Sequence, residues 1–152
     1  MNIGRLAVLI LAAVPAVAQT PDTAPGSSTE DVNAAFVQRI STLIEAHDKE
    51  PAAKIFKNIR LDNLKEIPAS RLLDIMKFGY SRALGVKCTY CHVEADFSSD
   101  DKRPKRAARE MAVMHTNINQ QLAKMSNLEP SPKGHFMNCA TCHRGAVKPT
   151  ER

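Results

Sequence analysis

The four cysteines of the chain fall into two five-residue motifs, each of which ends in histidine. Residues 88–92 read Cys-Thr-Tyr-Cys-His, and residues 139–143 read Cys-Ala-Thr-Cys-His. In a C-x-x-C-H motif the two thiols form thioether bonds with porphyrin vinyl groups, and the adjacent histidine binds the iron from the same side. The two motifs therefore predict two covalently bound haem c groups. The predicted attachment residues are Cys88, Cys91, Cys139 and Cys142, and the predicted axial ligands are His92 and His143.

Two other uses of paired cysteines explain the pattern less well. A compact four-thiolate zinc site needs pairs that are close in sequence, whereas the stretch from Cys91 to Cys139 is long enough to hold a whole helix. Redox dithiols or structural disulfides are the other alternative in an oxidising compartment. Neither alternative accounts for a histidine directly after each pair, so covalent haem is the favoured interpretation.

A second ligand on the far side of each haem would close the iron and suit it to electron transfer. Met76 precedes Cys88 by twelve residues, on the apolar face of a predicted helix, and is the candidate ligand of the first haem. For the second haem, Met111 and Met114 lie one turn apart on another predicted helix. Spacing alone does not choose between them, and a methionine that binds no iron is expected to fill the core.

Three further candidates for iron ligation are less favoured. His115 lies off the apolar stripe of its helix and is expected to be solvated. His135 and Met137 lie so close to the second motif that they are not expected to reach across the ring.

The first eighteen residues have the features of a secretory signal peptide. A single Arg5 precedes an apolar run over residues 6–14, and the small-x-small ending is completed by Ala18. The run is shorter than the roughly 20 apolar residues that span a bilayer. We therefore expect cleavage after Ala18, a periplasmic location and no stable membrane insertion of the mature chain. An uncleaved anchor is the alternative, because one charge makes a thin n-region.

The remainder of the chain predicts one all-α domain. Residues 19–30 are rich in Pro, Gly, Ser and Thr and predict a flexible leader, followed by a single domain over 31–152. Helical spacing of apolar residues predicts helices over 31–49, 70–85 and 104–125, with Ser70 as an N-cap and Gly85 as a stop. Residues 52–67 predict an irregular segment, residues 127–134 a loop, and no sheet is expected. With 5% aromatic residues and no Trp, the core is expected to be completed by haem.

The chain resembles the cytochrome c subunit of photosynthetic reaction centres, which carries four haems, and in particular one haem pair of it. The resemblance extends over residues 55–149 and is carried by residues 56–59, 72–76, 88–92, 108–114, 118–119 and 139–145. The Ala-Arg-x-Met-x-x-Met pattern at 108–114 is more specific than the cysteine motifs. The resemblance implies that Met76 binds the first haem and that Met111, rather than Met114, binds the second. Residues 120–125 lack the histidine that serves a further haem in the large members.

These features together predict a periplasmic carrier of single electrons between redox partner proteins. A dihaem enzyme of the peroxidase type, with one open iron site, is the alternative. The formal charge of +5 is concentrated in part at residues 102–106 and Arg109. These cations are expected either to form a solvated turn or to pair with haem propionates and steer an acidic partner. No nucleic-acid partner is expected, because the chain is predicted to be secreted.

Overall fold

Helices account for all the regular structure of residues 28–149, which are the residues that the computed structural model describes. An isolated bridge between Pro51 and Pro68 joins two loops, and no strand forms within this range. The predicted all-α class is therefore confirmed. The predicted signal peptide and residues 19–27 of the predicted leader lie outside the described residues.

Helix α1 (Thr29–Ile44) begins two residues earlier than the sequence predicts, inside the predicted leader. A capping box sets this start: the Asp31 backbone N–H donates to Ser28 Oγ at 3.1 Å, and the Ser28 backbone N–H donates to Asp31 Oδ2 at 3.0 Å. The helix ends at Ile44 and passes into a 3₁₀ turn (Glu45–His47), close to the predicted end at residue 49.

A segment with little regular structure follows α1, as the sequence predicts. It contains the single turn of α2 (Ala52–Ile55) and a 3₁₀ turn (Asp62–Leu64). Backbone hydrogen bonds hold it in place, among them Ala52 N to Ile67 O at 2.8 Å and Ala69 N to Glu50 O at 2.9 Å. These bonds pin the entry to the next helix against the end of α1.

One continuous helical stretch leads towards the first cysteine motif. It consists of α3 (Ala69–Asp74), a π-helical segment (Ile75–Ser81) and α4 (Arg82–Leu84). The prediction of Ser70 as its N-cap is wrong, because Pro68 occupies that position. Ser70 instead donates from its hydroxyl to Asp48 O at 2.9 Å, which ties the helix to the preceding loop.

Gly85 ends this stretch in the left-handed conformation, with a φ of 66°, as the sequence predicts. The Gly145 backbone N–H donates to Ala83 O at 2.8 Å, so the turn after the second motif lies directly on the end of α4. A Cβ atom on Gly85 would lie 2.2 Å from Gly145 O. A glycine at position 85 is therefore required both by the backbone angle and by this approach.

We expect Gly85→Ala to lower the free energy of unfolding by roughly 2–5 kcal/mol. This range adds about 1–2 kcal/mol for a left-handed alanine to about 1–3 kcal/mol for overpacking. Gly134→Ala is the matched control, because Gly134 has a φ of 69° and nothing lies within 4 Å of its added Cβ. Denaturant unfolding of the haem-loaded proteins measures both variants. Equal destabilisation by the two substitutions would show that the contact with Gly145 contributes nothing.

The two cysteine motifs each form one short helical turn. These turns are α5 (Cys88–Cys91) and α7 (Cys139–His143), and the long helix α6 (Arg103–Leu122) lies between them in sequence. Helix α6 ends three residues before the predicted end at Met125. Asn138 caps α7, since its Oδ1 accepts from the Thr141 backbone N–H at 3.0 Å. Helix α7 packs chiefly against α4 and the π-helical segment.

The protein core formed by side chains alone is small. Among residues 28–149 the buried apolar residues are Ile44, Ala52, Ala69, Leu72 and Ala83. The predicted apolar stripe of α6 is not part of it, since Met111 and Met114 are 40% and 46% exposed. None of the helices over residues 28–149 combines the length and apolar character that crossing a membrane requires.

Candidate functional site

The first cysteine motif and Met76 line the same cavity. Its volume is about 670 Å³, and Met76, Cys88, Cys91 and His92 all contribute to its wall. Much of the remaining wall is apolar and comes from α1, from the irregular segment and from α3, including Phe36, Ile40, Phe56, Leu72 and Leu73. This volume lies in the range of cofactor and ligand pockets. The helical stretch that precedes the motif thus places the predicted methionine in the wall of the same cavity as the predicted histidine.

His92 is oriented by Phe97. The His92 Nδ1–H donates to Phe97 O at 2.8 Å, and the two rings stack with centroids 4.9 Å apart. Because the carbonyl accepts a hydrogen bond from Nδ1–H, the proton of the neutral imidazole stays on Nδ1 and the lone pair of Nε2 is available for a metal. Burial, together with nearby cationic side chains, lowers the pKa of His92 below its usual value, which favours the neutral imidazole.

Asn33 of α1 holds the beginning of the first motif. Its Oδ1 accepts from the Cys88 backbone N–H at 2.9 Å, and its Nδ2 donates to Ser81 Oγ at 2.6 Å and to Val86 O at 3.0 Å. Burial raises the pKa of the neighbouring Cys88 thiol. The sequence analysis missed Asn33, because its partners lie 48 to 55 positions away in sequence.

Several cationic side chains at the start of α6 form hydrogen bonds to backbone carbonyls within the fold. Lys105 is only 9% exposed and donates to Phe97 O at 2.7 Å and Ser99 O at 2.8 Å. Lys102 donates to Thr89 O in the first motif. The prediction of a solvated turn is therefore wrong for these residues, whereas Arg103 is exposed.

Asp100 joins the loop after the first motif to α6. Its carboxylate lies 2.8 Å from Arg109 Nη1 and 3.0 Å from Arg60 Nη2 and accepts from Asn58 Nδ2 at 2.9 Å. The hydrogen bond from Asn58 is the main reason that the pKa of Asp100 lies below its usual value. Lys105 and Arg109 also line the cavity, so cationic groups are present where propionates are predicted to lie.

The second motif lies at a more open position. Cys142 is exposed, and the motif does not contribute to the wall of the first cavity. The His143 Nδ1–H donates to Ala146 O at 3.0 Å, which leaves Nε2 available as in the first motif. The predicted residues Cys139, Cys142 and His143 therefore share the short helix α7, whereas Met111 lies on the separate helix α6.

His115 connects α6 to the second motif. Its Nε2–H donates to Met137 O at 2.7 Å. The Asn119 side chain forms two further hydrogen bonds with Met137. Asn119 Nδ2 donates to Met137 O, and Asn119 Oδ1 accepts from the Met137 backbone N–H. The prediction that His115 is solvated is therefore wrong. Met111 precedes His115 by one turn and so lies on the same side of α6.

Tyr80 lies near both motifs. It lines the first cavity, and burial followed by the neighbouring Cys139 and Cys91 thiols raises the pKa of Tyr80 to about 12. One cysteine of each motif is therefore close enough to Tyr80 to affect its pKa. The sequence analysis did not single out Tyr80, because the relation of α7 to the π-helical segment is a tertiary feature.

A family model described as the photosynthetic reaction centre cytochrome C subunit matches residues 16–152. The chain belongs to this family. The match includes α1 and therefore extends further towards the N-terminus than the resemblance over 55–149 that the sequence analysis identified.

Individual relatives match over shorter stretches. Cytochrome c-554 of Chloroflexus aurantiacus is 42% identical over 66 residues, which are 43% of this chain and 15% of that protein. The reaction center cytochrome c subunit of Rubrivivax gelatinosus is 38% identical over 79 residues, or 46% of this chain and 22% of that protein. The reaction center cytochrome c subunit of Roseobacter denitrificans is 32% identical over 107 residues, which are 68% of this chain and 28% of that protein. The chain spans less than a third of the length of each of these relatives.

All four thiols are free, and the described residues contain no group of three or more His, Cys, Asp or Glu arranged to hold a metal ion. The two motifs are instead separate turns, each with its own histidine, as covalent haem requires.

Proposed function

We propose that the protein is a periplasmic dihaem c-type cytochrome that carries single electrons between redox partner proteins. The observation that carries this proposal is the cavity in which Met76 and the first motif meet. Family membership supports covalent haem c as the cofactor. When bound, haem supplies a one-electron iron couple, and the protein sets its potential through the axial ligands and their surroundings.

At the first site the chain offers a complete and consistent set of groups. Cys88 and Cys91 would form the thioether bonds to a haem, and His92 and Met76 would bind its iron. The Nδ1 bond to Phe97 holds the imidazole in the tautomer that can bind iron. The apolar wall excludes water from the ring, which matches the low polarity that favours a soft thioether ligand.

At the second site Met111 is the better supported of the two methionines. The face of α6 that carries His115 and Asn119 is tied to Met137, two residues before Cys139. Met111 is four residues before His115 and so about 40° from it around the helix, whereas Met114 is about 100° away on the far side of Met111. We assign Met111, with His143, as the axial pair of the second haem.

The two sites are joined by a short packed connection. Helix α7 packs on α4 and the π-helical segment, and Gly145 bonds to Ala83. Met76 lies on this same helical stretch, and Tyr80 lies near Cys91 and Cys139. This arrangement keeps the two redox centres within one packed unit, so an electron can pass between them without any domain movement.

The proposed location and partners follow from the leader and the reaction. A signal peptide over residues 1–18 delivers the chain to the compartment in which haem c is attached. The partners are then proteins that give and accept single electrons. Two methionine-closed irons leave no open position for peroxide, so an electron carrier is favoured over the peroxidase alternative.

Intact mass and a reduced pyridine haemochrome spectrum test the proposal on protein secreted from a host with haem-maturation machinery. We expect the mass of two covalent haems in the wild type, and of one in a Cys139→Ala, Cys142→Ala variant. Cyanide should leave the ferric spectrum of the wild type unchanged at concentrations that convert an open-site haem protein. An absence of added haem mass would overturn the proposal, and rapid cyanide binding by one haem would favour the enzyme.

A further inference from the structure

The carbonyl that orients His92 has a second donor. Phe97 O accepts from His92 Nδ1 at 2.8 Å and also from Lys105 Nζ at 2.7 Å. Lys105 is 9% exposed, and its position is fixed by the further bond to Ser99 O at 2.8 Å. An ammonium group is therefore held two hydrogen bonds away from the predicted iron ligand.

The groups around Lys105 leave its charge only partly balanced. Asp100 Oδ1 lies 3.7 Å from Lys105 Nζ, but the same carboxylate pairs more closely with Arg109 and Arg60. Asp96 is the other acidic group that acts on Lys105. Lys105 is therefore a cation that the neighbouring carboxylates balance only in part, and it shares its carbonyl acceptor with His92.

A second donor on this carbonyl changes the imidazole as a ligand. A strong Nδ1–H hydrogen bond makes the opposite nitrogen more basic and stabilises the higher oxidation state of a bound metal. Because Lys105 draws on the same oxygen, the bond from His92 is weakened. The positive charge of the ammonium also disfavours the additional charge of ferric iron. Both effects act in the same direction.

Resting on the proposed function, we propose that Lys105 is a positioning residue that raises the reduction potential of the first haem by sharing the Phe97 carbonyl with His92. Lys105, at the start of α6, then acts on the first haem through His92 and is not a binding site for a partner protein. The second haem would be held by His143, whose Nδ1–H donates to Ala146 O and not to a carbonyl that Lys105 shares, and it serves as an internal reference.

Spectroelectrochemical titration of the dihaem protein tests this inference with Lys105→Met. We expect the equilibrium constant for reduction of one haem to fall about tenfold, which is 59 mV for a one-electron couple, and that of the other haem to change by less. Arg103→Met is the matched control, because it removes the same charge from an exposed position two residues earlier. Its effect should be less than about twofold. Lys105→Arg should restore most of the wild-type value.

The His92 Nδ1–H resonance of the reduced, ¹⁵N-labelled protein gives a second measurement. It should move downfield in Lys105→Met, because the bond to Phe97 O becomes stronger, and stay in place in Arg103→Met. If Lys105→Met does not take up haem, the same titration is made on Lys105→Gln. A lower reduction potential of the first haem again supports the inference. Unchanged potentials and an unchanged resonance in a fully haem-loaded variant would overturn the role of Lys105 alone. A wild type without covalent haem would overturn the proposed function instead.

Discussion

Without covalent haem, the chain should lose most of its helical circular dichroism at 25 °C and neutral pH. Three of the five buried apolar residues among residues 28–149 are alanines, and no large side chain in this range is fully buried. Burial contributes about 0.8 kcal/mol per methylene group, whereas ordering costs about 1–2 kcal/mol per residue for the backbone alone. Such a core cannot offset that cost.

The haem rings are expected to supply the missing apolar contact. The wall of the 670 Å³ cavity carries Phe36, Ile40 and Phe56, and a bound ring would cover the apolar surface that they present to the cavity. A small domain with a metal or cofactor in its centre commonly folds only in the loaded state.

Alanine substitution of all four cysteines provides the haem-free chain for this measurement. The control is the wild-type chain matured in the same host, since the two differ by four small side chains and the haems. We expect weak far-ultraviolet ellipticity and rapid amide exchange in the variant. A native-like spectrum with a cooperative thermal transition would contradict the prediction, because it would mean that the protein core is sufficient without haem.

Replacing Met76 should produce the largest change in redox behaviour. Met76→His should keep the first haem six-coordinate but lower its reduction potential by on the order of 100 mV, within the ~0.8 V range that axial ligands control. A thioether opposite histidine stabilises ferrous iron, whereas a second imidazole does not. Met76→Leu should instead leave the iron open, so that the ferric haem becomes high-spin and binds cyanide.

Optical and electron paramagnetic resonance spectra, with potentiometric titration, measure these changes. Met125→Leu is the matched control, because Met125 is 54% exposed and does not line the cavity. Its spectra and potentials should equal those of the wild type. If Met76→Leu retained a low-spin ferric haem with an unchanged potential, Met76 would be a core residue and the first haem would have another ligand.

Features with local causes were predictable from the residues alone. The C-x-x-C-H turns, the helical stretch before the first motif and its end at Gly85 depend on interactions within a few residues. A glycine at the end of a helical pattern predicts that the helix ends there, with the glycine in the left-handed conformation. The start of α1 was placed two residues late, because the capping box of Ser28 and Asp31 was not recognised.

The surroundings of the first motif depended on the tertiary structure. Asn33 reaches Cys88 across 55 positions of sequence, and Arg109 reaches Asn58 across 51. Lys105 belongs to a cationic run that composition alone predicts to be solvated, but the loop over residues 97–100 folds back over it and supplies carbonyl acceptors.

The sequence by itself indicated the helical class and predicted the haem attachment residues and the candidate ligand Met76, since motif spacing and helical periodicity are local properties. The choice of Met111 over Met114 came from the family resemblance. Only the tertiary structure decided which groups surround His92, how His115 is bonded and how α7 lies on α4. Those outcomes depend on which distant backbone carbonyls and side chains meet. A buried cation or amide is stable only where such partners converge.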